Sequence, residues 1–369
     1  MRIALLTYST KPRGGVVHTL SLAEALVRQG MDVSVFSVQR NGETAFFRDV
    51  DSAIKVHLAP FEELEGESIG KKVERSIASL SQTLGQEKFD IVHAQDCISA
   101  NAARRCVRTV HHLDQFKTPQ LVRCHEDALT NPVAHICVSR AVAAQLKQGW
   151  GIDAKVVPNG VDFERFQSFA IEPQDWQMRM IESWHSVIGG PYVLTVGGIE
   201  PRKGTMDLLR IMEQIRPKYL DLRLVIAGGA SLFDYGEYRE EFHRLANRLN
   251  VEPIVLGTVE HAKLPALVAG AKAFIFPSIN EGFGLAALEA SAARVPLILR
   301  ELPVFKEFFG DAAIFGSDAI SMADALLRTL ADADSNRLDN GVELARSFSW
   351  DSAAISHMSL YEQWLPLFR

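Results

Sequence analysis

Residues 273–296 read AFIFPSINEGFGLAALEASAARVP. The apolar run Ala273 to Phe276 ends at Pro277-Ser278, a loop carries Glu281, and Gly282-Phe283-Gly284 opens a stretch with helical spacing. Strand, glycine loop and helix form the repeating unit of parallel α/β sheets. The same unit makes an anion site, because unpaired backbone N–H groups and the positive end of the helix dipole face the loop. Glycine lets a ligand approach the backbone closely. Glu281 and Glu289 would repel a phosphate that they touched, so they are better suited to holding hydroxyl groups beside one. Phosphate together with hydroxyls suggests a sugar nucleotide.

Outward from this stretch the alternation continues. PYVLTVGG, RLVIAGG and PIVLGTV precede it as strands, VPLILRE follows, and helical segments lie between them. The first half repeats the pattern. IALLTY is a strand, VVHTLSLAEALVRQG a helix closed by Gly30, and DVSVFSV the next strand. Residues 62–84 are polar and helix-like, FDIVHAQ, RTVHHL and HICVSR are strands, AVAAQLKQ is a helix, and KVVPNGVD ends in a turn. QSFAIEPQDWQMRMIESWHSVIGG breaks the alternation and is expected to link two halves. The expected fold class is α/β, with two doubly wound Rossmann-like domains facing each other across a cleft. The expected bounds are 1–165, a linker 166–189 and 190–349, with a C-terminal helix in 350–369 packing back on the first domain. Ligands of such sheets bind at the C-terminal ends of the strands.

Composition fits an ordinary soluble enzyme. A chain of 369 residues exceeds one typical core, and 47% hydrophobic with 23% charged residues is globular. A net charge of −6 argues against a nucleic-acid partner. MRIALLTYSTKPRGG has too short an apolar run for a signal peptide, and nothing approaches 18 consecutive apolar residues. The expectation is a cytoplasmic protein. Cys97, Cys106, Cys124 and Cys137 contain no CxxC pair, so buried reduced thiols are expected rather than a zinc site or a disulfide framework.

A second anion candidate is Val196-Gly197-Gly198-Ile199-Glu200-Pro201-Arg202-Lys203-Gly204, between the strand YVLTV and the helix TMDLLRIMEQI. Arg202 can meet a diphosphate as a fork and Lys203 as a point charge. The bland alternative is a solvated charge pair, but cations at a helix start oppose its dipole unless an anion is present. A P-loop is excluded, since no glycine precedes Lys203. Gly282, Gly284 and Ala287 fit a GxGxxA fingerprint, with Glu301 nineteen residues after Gly282, yet PSINE separates the strand from the first glycine. That match is weak.

The series KVVPNGVD, VGGIEPRKG, LRLVIAGG, LGTVEHAKLPALVAGAKAFIFPS and EGFGLAALEA resembles the C-terminal domain of glycosyltransferase family 4. The strand-then-GG start, FDIVHAQ, RTVHHL and HICVSRAVAAQL extend the resemblance over nearly the whole chain. Those enzymes are retaining transferases of two-Rossmann-domain (GT-B) architecture. The resemblance implies that Glu281 lies beside the donor sugar's hydroxyls and that Glu289 holds the ribose. Backbone N–H groups of Phe283, Gly284 and Leu285 would face the diphosphate, and Lys203 would bind phosphate. Gly14 and Gly15 match the N-domain glycine loop, and His111, or less favourably His112, the histidine near the sugar. Thr258 and Val259 match positions whose backbone reads the base, and Asn159 and Asp162 those that brace the interdomain turn.

Three departures stand out. Gly198 replaces the family's arginine, and Arg202 is the expected substitute. Arg294 replaces a helix-ending glycine. Leu302-Pro303-Val304-Phe305 replaces a glycine pair. The implied reaction moves a sugar from a nucleoside diphosphate sugar to an acceptor hydroxyl with retention. No cofactor and no metal are expected, because Lys203 and Arg202 cover the phosphates and no DxD-type carboxylate cluster accompanies them. The acceptor is expected to be a small molecule, saccharide or lipid, with peripheral membrane contact possible. The helix VVHTLSLAEALVRQG offers only His18 and Arg28 as cations for such a surface. A sugar-nucleotide epimerase or hydrolase of the same architecture, or a non-catalytic nucleotide-sugar-binding protein, is the alternative. Acceptor recognition would fall on the loops 40–70 and 112–132.

Overall fold

The computed structural model describes residues 1–40, 42–85, 87–116, 118–229 and 235–368. Within the two loops expected to read the acceptor, Asn41 and Lys117 lie outside the described residues. The chain divides into two compact units, Met1–Gly160 with Trp350–Arg369, and Val161–Ser349.

The first unit contains β1 (Arg2–Thr7), β2 (Asp32–Arg40), β3 (Lys55–Phe61), β4 (Ile91–Ala94), β5 (Val107–Val110), β6 (Ala134–Cys137) and β7 (Lys155–Val156). They form a parallel sheet in the order β3-β2-β1-β4-β5-β6-β7. Strand β1 is buried on both faces, which is why Ile3 to Leu6 read as a continuous apolar run, while β2 buries Ser34 and Ser37 among its apolar residues. One layer packs Ala4, Leu6, Phe36 and Val38 against Leu80 of the helix Ile69–Leu84. The strand β3 is not expected from the sequence. It lies at the sheet edge, carries Pro60, and leaves Lys55 and Val56 exposed, so it lacks an apolar signature.

The second unit contains β8 (Tyr192–Val196), β9 (Arg223–Ala227), β10 (Ile254–Gly257), β11 (Ala273–Phe276), β12 (Leu297–Arg300) and β13 (Ala313–Gly316). These are also parallel, in the order β10-β9-β8-β11-β12-β13. Val193, Leu224, Ile226, Ile275 and Ile298 meet Leu208, Met212, Phe242 and Leu326 from the helices. Both sheets thus have the doubly wound α/β pattern.

Three expectations need correction. Segment 166–189 is no irregular linker, because it contains the helix Asp175–Ile188, opened by a Gln174–Gln177 capping box and closed by Gly189 in the left-handed region. Its sequence hides this because Trp176, Met178 and Val187 are exposed and only Gln177 and Ile188 are fully buried. The boundary falls at Gly160 rather than 165. The short helix Phe163–Gln167 joins the second unit through fully buried Phe166 and a hydrogen bond from Arg165 to the His261 carbonyl. Gly14 and Gly15 form the first turn of the helix Gly14–Arg28 rather than a loop before it.

The C-terminal helix Trp350–Trp364 belongs to the first unit and packs on the helix Gly14–Arg28. Trp350, His357 and Tyr361 are buried there, and Arg28 pairs with Asp351 at 2.7 Å. His18, considered as a surface cation, is 1% exposed and held by Asn159. Arg28 is engaged by Asp351. Among the described residues no helix is long and apolar enough to cross a membrane.

Candidate active site

In the second unit the ends of β8 and β11 bring Lys203 and Glu281 together. Their 78-residue separation closes because β8 and β11 are hydrogen-bonded neighbours. Ile279 N–H donates to the Arg202 carbonyl at 2.8 Å, tying the two loops. Gly204 has φ 61°, and a Cβ there would stand 2.1 Å from the Pro277 carbonyl oxygen, so only glycine permits this approach.

Lys203 Nζ is ion-paired with Glu281 Oε1 and lies 4.4 Å from the centroid of the Phe276 ring. Burial lowers the ammonium pKa, Glu281 counteracts that, and Arg202 adds to it. Arg202 reaches Glu281 Oε1 at 3.4 Å and Glu200 Oε2 at 3.2 Å. Ser278 Oγ donates to Glu281 Oε1 at 3.2 Å. The positive charge at this helix start therefore already has carboxylate partners. The dipole argument by itself does not demand a bound anion.

Beyond Glu281 the chain turns through Gly284, at φ 102°, into the helix Leu285–Ala292. Phe305 and Phe309 press on Gly284, since a Cβ there would lie 2.9 Å from Phe305 Cε1. Among the described residues, the N–H groups of Phe283, Gly284 and Leu285 donate to no protein acceptor. They are the orphan donors of a helix start. Glu289, in the second turn, is partly buried, and its carboxyl is pushed up to about 7 by burial, against the pull of Arg165. Asp162 raises it further. Glu281 and Glu289 thus have different neighbours, cations for one and a weakly balanced, less polar setting for the other.

The three departures acquire physical reasons. A Cβ at Gly198 would stand 2.6 Å from the Gly229 carbonyl oxygen, so no arginine fits. Gly229 in turn abuts Thr258, whose Oγ1 would lie 2.5 Å from a Cβ added at Gly229, while Val259 is half-buried. Arg294 sits at φ 54° in the turn a glycine would favour, with its side chain on Asp339 at 2.9 Å. Leu302 caps a helix Pro303–Phe309 whose proline is at its first position.

The first unit holds the other candidates. His111 follows β5 and places Nε2 3.1 Å from Gln95 Oε1. The site of a Cβ on Gly15 would lie 3.6 Å from His111 Cδ2, whereas nothing lies within 4 Å of the corresponding point on Gly14. Burial holds His111 well below 6.5, with His18 and Arg108 adding to the shift, so its imidazole is neutral. His18 sets its ring edge on His111 with centroids 4.8 Å apart, and its Nδ1 is 2.8 Å from Asn159 Oδ1. His112 pairs with Asp114 at 3.1 Å instead. Asn159 is thus a partner of His18, and Asp162 a neighbour of Glu289. Cys106, Cys124 and Cys137 are buried thiols and Cys97 is half-buried, with no disulfide among them.

Gln95, His18, Glu200, Ser278 and Arg165 escape sequence reasoning as supporting residues. Gln95, His18 and Arg165 meet partners distant in sequence, whereas Glu200 and Ser278 lie inside the two quoted stretches, close to their partners Arg202 and Glu281, and carry no signature of their own. Among the described residues, no three His, Cys, Asp or Glu side chains are grouped to hold a metal ion.

Two family models match the chain. The one described as Glycosyltransferase Family 4 covers residues 12–165, and the one described as Glycosyl transferases group 1 covers residues 180–343. A D-inositol 3-phosphate glycosyltransferase of Xylanimonas cellulosilytica is 28% identical over 407 aligned residues, spanning 98% of this chain and 96% of that protein. The sucrose-phosphate synthase of Thermosynechococcus elongatus has a TM-score of 0.79 at 21% identity, with 99% of each chain covered. An Anabaena protein solved with UDP and glucose gives 0.74 at 19% identity, covering 98% of this chain and 99% of that one.

Two parallel Rossmann-like sheets give the GT-B architecture, and the matched glycosyltransferase models make the chain a GT-B glycosyltransferase. The chain belongs to glycosyltransferase family 4.

Proposed function

We propose that this enzyme transfers a hexose from a nucleoside diphosphate sugar to an acceptor hydroxyl, with retention and without a metal ion. The observation that carries this reading is the Lys203–Glu281 pair beside three orphan backbone N–H groups. Lys203, Arg202 and those N–H groups would bind the diphosphate and stabilise the charge that grows on it as the glycosidic bond breaks, an effect worth a few kcal/mol per preorganised donor. Positive side chains in that place make a divalent ion unnecessary. Glu281, turned from Lys203 by the incoming phosphate, would accept hydrogen bonds from sugar hydroxyls, and Glu289 from the ribose.

On the first unit, His111 donates from Nε2 to Gln95 Oε1, which leaves Nδ1 as an acceptor for a sugar hydroxyl. Retention would follow from attack on the face that the diphosphate leaves, with a phosphate oxygen taking the acceptor's proton. No protein nucleophile is then needed. The relative named for D-inositol 3-phosphate favours a small polyol or its phosphate as first acceptor to test, ahead of saccharides and lipids.

The test incubates UDP-, GDP- and ADP-sugars with polyol, saccharide and lipid acceptors in excess EDTA and follows products by NMR. A glycoside with the donor's anomeric configuration supports the proposal. An inverted product, a strict requirement for Mg²⁺ or Mn²⁺, or donor consumed without acceptor would overturn the corresponding part.

A further inference from the structure

Arg300, the last residue of β12, makes three contacts with one guanidinium. Nε donates to the Pro277 carbonyl at 2.9 Å, Nη1 to the Ser317 carbonyl at 2.8 Å, and Nη2 is ion-paired with Asp207. Its side chain is 12% exposed. These three partners begin the loop after β11, follow β13, and lie in the first turn of the helix Thr205–Ile215. Asp207 is further held by Arg210 Nη1 at 2.6 Å.

The Pro277 carbonyl is the group against which Gly204 is packed. Gly204 directly follows Lys203, and Ser278, which directly follows Pro277, bonds Glu281. Arg300 therefore fastens the loop that carries Glu281 to the helix whose preceding turn carries Lys203. A planar fork with donors in three directions suits this task, whereas a lysine ammonium could hold only part of it.

We infer that Arg300 is a positioning residue for glycosyl transfer, which sets the distance between Lys203 and Glu281 through Pro277 and Asp207 without touching the donor. The inference rests on the proposed donor site. Small displacements of positioned groups cost catalysis heavily, so Arg300→Gln should lower kcat/KM for the donor about a hundredfold. Arg300→Lys should recover part of that loss. Because the effect runs through Lys203, the double variant Lys203→Ala/Arg300→Gln should be little worse than Lys203→Ala alone.

The experiment measures donor kcat and KM, nucleoside diphosphate affinity and thermal midpoint for wild type, the Arg300 and Lys203 variants and Asp207→Asn. Asp207→Asn reads the same coupling from the other end of the ion pair should Arg300→Gln fail to fold. Non-additive losses with partial rescue by lysine support the inference. Wild-type kinetics in a folded Arg300→Gln, or losses that multiply fully with Lys203→Ala, overturn it. A wild type that neither binds a nucleoside diphosphate nor transfers sugar shows instead that the functional reading has failed, and the inference falls with it.

Discussion

Lys203 and Glu281, 78 residues apart, neutralise each other at the ends of adjacent strands. In this state the carboxylate occupies the cation that the proposed diphosphate needs. On the proposed reading, donor binding would exchange one anion for another and free the displaced carboxylate for the sugar.

That exchange predicts opposite effects on two quantities. Glu281→Gln leaves Lys203 without its ionic competitor, so a bare nucleoside diphosphate should bind several-fold tighter, about 3- to 10-fold. Sugar transfer should fall by about a hundredfold or more, since the sugar loses a charged acceptor. Calorimetry with the diphosphate and steady-state kinetics check the two halves separately.

Glu289, with its carboxyl pushed up to about 7, changes charge within the neutral range. Above that pH it would be an ionised acceptor for the ribose hydroxyls of the proposed donor, and below it a protonated and poorer one. Donor affinity should fall as pH drops through about 7, and Glu289→Gln should flatten that dependence. A titration of donor Kd across the neutral range checks it.

The first unit buries His18, His93 and His357 in contact. His93 Nδ1 meets Tyr361 Oη at 2.6 Å, while Nε2 meets Thr109 Oγ1 at 2.6 Å. Burial lowers His18 to about 3 and His357 to about 4, and holds His93 well below 6.5. The unfolded chain protonates all three near 6.5, so it binds more protons than the folded one below that pH. Stability should be unaffected by them above about 6.5 and lost on acidification, by ~1.4 kcal/mol per pH unit for each histidine. His357→Leu should reduce that slope by one proton's share in a thermal-midpoint series from about pH 7.5 to about 4.5.

Arg294 occupies the left-handed region at φ 54°. An L side chain there costs about 1 kcal/mol relative to glycine, part of which glycine returns through unfolded-state entropy. The exposed ion pair to Asp339 contributes little, typically about 0–1 kcal/mol. Arg294→Gly should be neutral to slightly stabilising, by about 0.5 kcal/mol, and Asp339→Ala neutral. Chemical denaturation of both variants tests this.

Much of the architecture is legible in the sequence because parallel strands buried on both faces leave compact apolar runs. The glycine-opened helix and the cations at Arg202 and Lys203 are legible because their spacing is local. Arg294 is readable as a strained substitute for the same reason. Strand β3 is hidden by its edge position and Pro60, and the helix Asp175–Ile188 by its exposed Trp176 and Val187. Which acid Lys203 meets, which carbonyl Gly204 packs on, and why no arginine fits at Gly198 depend on strand order. No local pattern encodes that order. His18 reads as a surface cation on its own helix, and only packing against Asn159 and Trp350 turns it inward.

Calorimetric titration of UDP, GDP and ADP into the wild type and Lys203→Ala is the most direct test of the donor site. One diphosphate should bind the wild type, and its affinity should drop about a hundredfold or more in Lys203→Ala, with no need for a divalent ion. Equal affinity in both proteins, or no binding of any diphosphate to the wild type, would contradict the assignment of the Lys203–Glu281 turn as the place where the donor phosphates sit.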